Sequence, residues 1–129
     1  MSTPPSLVSG VDFVTVFVKS YAAAVEFYGT LLGLPCSVEY GRLHGAEFET
    51  GNLTLQVMSA EAIGREFEPS THPIALHVED VEHARRELEA RGLRFMGDTI
   101  DSGVCHMALF ADPDGNALML HHRYAPRPG

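Results

Sequence analysis

The chain has 129 residues, two cysteines and a formal net charge of −8, from 17 Asp and Glu against 9 Lys and Arg. That length fits one compact domain with a real core, and the acidic balance argues against nucleic acid or an anionic membrane as partner, because phosphate binding needs a basic face. Cys36 and Cys105 make no disulfide framework and Met1 to Gly10 holds no apolar run, so a cytoplasmic setting is expected, without signal or transmembrane span.

Residues 1–10 read as a loose tail. Val11 to Val18 is apolar and β-branched, which predicts a strand. Ser20 stands as an N-cap before Tyr21 to Leu32, where Tyr21, Ala24, Val25, Tyr28, Leu31 and Leu32 form one apolar stripe at helical spacing. Gly33 supplies a left-handed stop. Cys36 to Leu43, Ala46 to Glu49 and Leu53 to Met58 read as strands joined at His44-Gly45 and Gly51-Asn52. Residues 59–71 mix charge with Gly64 and Pro69 and read as a linker with room for one helical turn.

A second series begins at residue 72. Ile74 to Val78 predicts a strand, and Asp80 caps an amphipathic helix with Val81, Ala84 and Leu88 facing inward. Glu82/Arg86 and Glu87/Arg91 are expected as exposed i,i+4 pairs. Gly92 closes the helix; strands near Arg94 to Phe95, Val104 to Phe110 and Leu118 to His122 follow, and residues 125–129 are a tail. In Asp112-Pro113-Asp114-Gly115-Asn116, Pro presets φ and Gly takes a positive φ, so this is a turn.

The two series are copies of one plan. Val18 matches Val78, Ser20 matches Asp80, Ala24 matches Ala84, and Leu32-Gly33-Leu34 matches Arg91-Gly92-Leu93. Gly51-Asn52 before its strand echoes Gly115-Asn116 before the last one. Each half therefore reads β-α-β-β-β, giving an α+β domain of two tandem modules, 11–58 and 72–124, around a 59–71 linker. The working site is expected between the modules.

This repeat, with Glu26-Phe27-Tyr28 before Leu31-Leu32-Gly33-Leu34 and Asp112-Pro113-Asp114-Gly115-Asn116 before the last strand, resembles the vicinal oxygen chelate superfamily. That group includes glyoxalase I, extradiol dioxygenases, fosfomycin-resistance enzymes and bleomycin-resistance proteins. The resemblance spans Val11 to about Tyr124 and implies curved sheets that enclose a cavity, commonly in a homodimer. Function does not follow, because one fold hosts many chemistries.

Strand alternation separates two faces without help from the family. Val14/Val16/Val18, Leu53/Leu55/Val57, Ile74/Leu76/Val78 and Leu118/Leu120 are expected to pack inward. The other faces carry Phe13, Thr15, Phe17, Gln56, Met58, His77, Met119 and His121, the expected ligand-binding set, with Thr54, Pro73, Ala75 and Ala117 beside them. Aromatic and Met walls with a few polar anchors describe a small-molecule pocket, although the same residues could simply fill the space.

The resemblance places the metal-ligand positions of metal-dependent relatives at Phe13, Gln56, Pro73 and Met119. Phe and Pro offer no side-chain donor and a thioether is a soft ligand, so only Gln56 suits a hard or borderline divalent ion. No metal is expected there. A displaced site is the alternative: His77 and His121 each lie two residues past a vacated position, about 7 Å along the strands, and need a third donor from His106, Gln56 or a carboxylate. His72 reaches the family position only through a one-residue slip that would turn the aliphatic face outward.

The remaining candidates read as structural. His122 is expected at the edge or in solvent, and His83 at the surface. Cys105 and His106 point to opposite faces as strand neighbours, which disfavours a Cys-His nucleophile, and Cys36 reads as a small buried hydrophobe. Metal-free acid–base chemistry by His77 ranks last, since no partner carboxylate is evident on its face. The leading expectation is a homodimeric, metal-free protein that sequesters or carries an apolar or aromatic small molecule, with no cofactor. The alternative is a lyase, isomerase or dioxygenase using one divalent metal at His77/His121.

Overall fold

The computed structural model describes residues 5–128; the outermost parts of the two expected tails, residues 1–4 and 129, lie outside the described residues. The first module contains β1 (Phe13–Val18), helix α1 (Tyr21–Val25), β2 (Cys36–Glu39), β3 (Gly45–Glu49) and β4 (Thr54–Ser59). The second contains β5 (Ile74–His77), helix α2 (Val81–Ala90), β6 (Ile100–Asp101), β7 (Cys105–Ala111) and β8 (Ala117–Arg123). Each forms a four-stranded sheet, ordered β1-β4-β3-β2 and β5-β8-β7-β6. The first strand pairs parallel with the last in both sheets, and the other pairs are antiparallel. The fold is α+β, in two modules.

Register fixes which side chains meet. Across β1, β4 and β3, Val14–Leu55–Phe48 and Val16–Val57–Ala46 are cross-strand rows, and all but half-buried Val14 are buried. Across β5, β8 and β7 the matching rows are Ile74–Leu118–Phe110 and Leu76–Leu120–Ala108. Both sets join Phe27, Tyr28, Val81 and Leu88 in one apolar cluster, so the modules share a core.

The first helix departs from its expected form for a countable reason. Val18 to Gly33 spans one residue more than Val78 to Gly92. The extra residue is absorbed as a π-helical turn, Glu26–Leu31, which continues α1. It brings Phe27 and Tyr28 onto the core, with Phe27 5.1 Å from Tyr28 and 6.3 Å from Phe110 between ring centroids. Both helical segments end at a left-handed glycine, Gly33 (φ 74°) and Gly92 (φ 98°).

Other local expectations are corrected. Ser20 has the extended backbone of an N-cap but its side chain makes no capping bond; its N–H donates to Asp114 instead. Asp80 does cap α2, accepting from the His83 N–H at 3.0 Å. Among the described residues the α2 ion pair is Arg85–Glu89 rather than the two expected; Arg85 lies over the Phe95 ring at 4.8 Å, and Arg91 donates instead to the Leu31 carbonyl at 2.9 Å. Residues 94–95 form no strand: Phe95 is an anchor packed on Phe110 at 5.4 Å, and pairing with β7 comes later, at β6. The predicted strand over Cys36 to Leu43 stops at Glu39 and gives way to a 3-10 turn, Gly41–Leu43.

The modules are joined at the Asp112–Asn116 turn. Asp112 Oδ2 accepts from the Tyr28 hydroxyl and from Asn116 Nδ2, both at 2.8 Å, while its Oδ1 accepts from the N–H groups of Asp114 and Asn116. Asn116 Nδ2 also donates to the Phe17 carbonyl, and its Oδ1 accepts from the Ser70 N–H. Asp114 Oδ2 accepts from the N–H groups of Lys19 and Ser20. Tyr28, Asp112 and Asn116 are all buried, which makes each of these bonds costly to lose.

Tyr28→Phe is expected to cost about 1.5–3 kcal/mol, the range for a bond to a charged acceptor, read by urea unfolding. Burial, followed by the Asp112 carboxylate, holds the Tyr28 phenol well above its ordinary pKa of 10.0. A folded-state pKa above the unfolded one gives stability that is complete below the unfolded pKa and lost as pH rises past it. The wild type should therefore weaken above about pH 10 more steeply than Tyr28→Phe does.

Candidate functional site

Turned away from the core, the first sheet shows three rows. They are Phe13–Thr54–Glu49, Thr15–Gln56–Glu47 and Phe17–Met58–Gly45. The middle row is wired by a directed chain of hydrogen bonds. Thr15 Oγ1 donates to Gln56 Oε1 at 2.7 Å, and Gln56 Nε2 donates to the Tyr40 hydroxyl at 3.0 Å. The Tyr40 hydroxyl in turn donates to Glu47 Oε2. Burial, and then the bond to Glu47, raises the pKa of Tyr40, so the phenol keeps its proton and the chain keeps its direction. In the first row Glu49 accepts from Ser37 and Thr54, both at 2.6 Å, and these bonds hold its carboxyl below the usual range.

The third row is shaped by a missing side chain. A Cβ at Gly45 would stand 2.3 Å from Met58 Sδ and 2.5 Å from Tyr40 Cδ2. Glycine leaves room here for both the Met58 and Tyr40 side chains, and Met58 is buried. Phe17 is roofed by the Arg65 guanidinium at 4.7 Å. Phe13 remains 51% exposed, an open apolar wall.

On the second sheet the corresponding rows are Ala75–Met119–Leu109 and His77–His121–Met107. The expected ligand set thus falls into two groups. Phe13, Thr15, Phe17, Gln56 and Met58 lie on the first sheet, and His77, Met119 and His121 on the second. Within the first group the structure links Thr15 to Gln56 directly. A cleft of ≈ 520 Å³ opens elsewhere, between the Thr50–Leu53 turn, β5 and α2, lined mainly by Leu34, Leu53, Leu76 and Leu88 with Glu87 and Arg91. It sits where the loop joining β3 to β4, one residue shorter than the Asp112–Asn116 turn, makes no counterpart of the Tyr28 lock.

Of the residues at Phe13, Gln56, Pro73 and Met119, three offer no hard side-chain donor. The one donor among them, Gln56, is engaged at both ends of its amide. His77, although paired in register with His121, turns its ring toward His122, with centroids 5.8 Å apart. Its Nε2 lies 3.1 Å from Glu79 Oε1, so the carboxylate partner that sequence reasoning did not find is two residues along the chain. His122, expected at the edge or in solvent, has a buried Nδ1 with no partner among the described residues. Cys36, expected buried, is exposed because β2 is an edge strand with every residue open. Tyr40 and Glu47 were also missed. Alternation along β3 already placed Glu47 opposite the core residues Ala46 and Phe48, which was the available signal.

Residues 10–120 match the Glyoxalase/Bleomycin resistance protein/Dioxygenase superfamily, and the chain belongs to that family. It is similar to the uncharacterized protein YraH of Bacillus subtilis (strain 168), 27% identical over 120 residues covering 84% of this chain and 94% of YraH. Its fold is similar to that of TnmS3, an antibiotic-binding protein from Streptomyces sp. CB03234, at TM-score 0.76 and 20% identity over 92% of this chain and 99% of that one. The same holds for lactoylglutathione lyase from Agrobacterium tumefaciens, at TM-score 0.73 and 16% identity over 90% and 95% of the two chains.

Gly45→Ala should displace Met58 and Tyr40 and cost about 1–3 kcal/mol, the range for overpacking a filled site. Gly10→Ala, where an added Cβ meets nothing within 4 Å, is the control and should leave the urea midpoint unchanged.

Proposed function

We propose that this protein binds an apolar or aromatic small molecule without a metal at the family positions, and sequesters or carries it as a cytoplasmic homodimer. The observation that carries this reading is the state of Gln56. It is the one family-position residue with a suitable donor, and both ends of its amide are committed to Thr15 and Tyr40. The face therefore offers a prearranged polar track rather than a coordination sphere. Phe13 beside that track supplies apolar contact area, and Glu47 and Glu49 supply carboxylates. Such a face suits an aromatic ligand carrying hydrogen-bond donors or a positive charge, which the charge of −8 also favours.

What one chain leaves uncovered supports the dimer. Val11, Phe13, Met96 and Ile100 are exposed apolar side chains, and a second copy laid over them would close the open faces. A fold shared with both an antibiotic-binding protein and a lactoylglutathione lyase accommodates either role; the donor-poor family positions favour binding over metal catalysis.

The test is calorimetric titration with a panel of aromatic amines and aromatic natural products, with and without EDTA. A one-to-one complex per chain, unchanged by chelator and weakened about tenfold in Gln56→Ala, is expected. Binding that disappears with EDTA, or is indifferent to Gln56, would contradict the proposal.

A further inference from the structure

Along the end of the second sheet, His and carboxylate side chains line up on neighbouring strands. Asp101 on β6 is the register partner of His106 on β7, and His106 is the partner of His122 on β8. His77, at the end of edge strand β5, closes the row by turning its ring to His122, and Glu79 follows it at 3.1 Å. His106 is already occupied, 3.5 Å from Asp101 and packed at a tilt of 37° against Tyr124 with centroids 4.8 Å apart. His77, Glu79 and His122 are different: one ligating atom from each lies within 4.8 Å of the other two.

We propose that His77, Glu79 and His122 form a binding site for a borderline divalent cation, zinc being the best fit. This site rests on none of the ligand-face argument and shares no residue with the vacated family positions. Two imidazoles and one carboxylate match the donor preference of zinc, cobalt and nickel; magnesium and calcium prefer oxygen cages. Donors on one zinc stand about 3.5 Å apart. Small rotations of the His77 and Glu79 side chains, already 3.1 Å apart and 65% and 89% exposed, would close the set. The third donor is fixed by its strand, and its Nδ1 is buried without a partner, so the ring has an unmet polar requirement in this neighbourhood. Three protein ligands leave a coordination position for water or a small anion. His77 also lines the cleft between β5 and α2, which places the cation at the rim of an apolar cavity.

The site differs from a His77/His121 pair in a way that experiment reads directly. Zinc titrated into tag-free protein should bind at one ion per chain. His77→Ala and His122→Ala should each weaken binding at least about tenfold, whereas His121→Ala and His83→Ala should leave it unchanged. Failure to saturate by about 0.1 mM zinc, or full affinity in the His77→Ala/His122→Ala double variant, would overturn the proposal. A readout on unaltered protein guards against variants that do not fold: in long-range 1H–15N spectra of the imidazoles, zinc should move the His77 and His122 signals first. Movement of His121 instead of His122 would refute the assignment.

Discussion

The structure hinges on one buried carboxylate. Asp112 accepts from the hydroxyl of Tyr28 in the other module, from the amide of Asn116 and from two N–H groups of its own turn. A buried carboxylate is tolerable only when its lone pairs are met, and here they are met partly from across the module boundary. Asn116 and Asp114 extend the same arrangement to the backbone of β1 and the start of α1. A turn that serves the local chain reversal thus also ties the two modules together through hydrogen bonds.

The two halves are copies, yet the lock is made once. The turn between β3 and β4 is one residue shorter and has no counterpart of Asp112. The second helix places Leu88 where the first places Tyr28, so no hydroxyl is offered. The position that would be filled by a lock is instead the cleft against β5 and α2. Divergence between repeats has left one junction closed and polar and the other open and apolar.

Much of this was legible in the sequence. Repeat spacing gave two modules, and strand alternation gave the core rows, because a period of two leaves no freedom once one face is aliphatic. The π-helical turn was present as an unexplained offset: the extra residue between Val18 and Gly33 had to go somewhere. What alternation does not give is where a side chain at the end of an edge strand will turn. His77 belongs to the His121 row by backbone register, but it is the last residue of β5, and its ring meets Glu79 and His122. Tyr40 was hidden for a similar reason. It lies past the end of β2, in a segment that sequence reading continued as strand, and reaches Glu47 only because the chain turns there into Gly41–Leu43.

The face built on Thr15, Gln56, Tyr40 and Glu47 is the element on which the functional account depends, and backbone 1H–15N chemical-shift mapping with a bound aromatic ligand in the presence of EDTA tests it most directly. The account predicts that the largest perturbations fall on Phe13, Thr15, Gln56 and Glu47, with Met119 responding if both sheets contribute. Perturbations confined to the cleft lined by Leu53, Leu76 and Leu88, or absent until a metal is added, would contradict it.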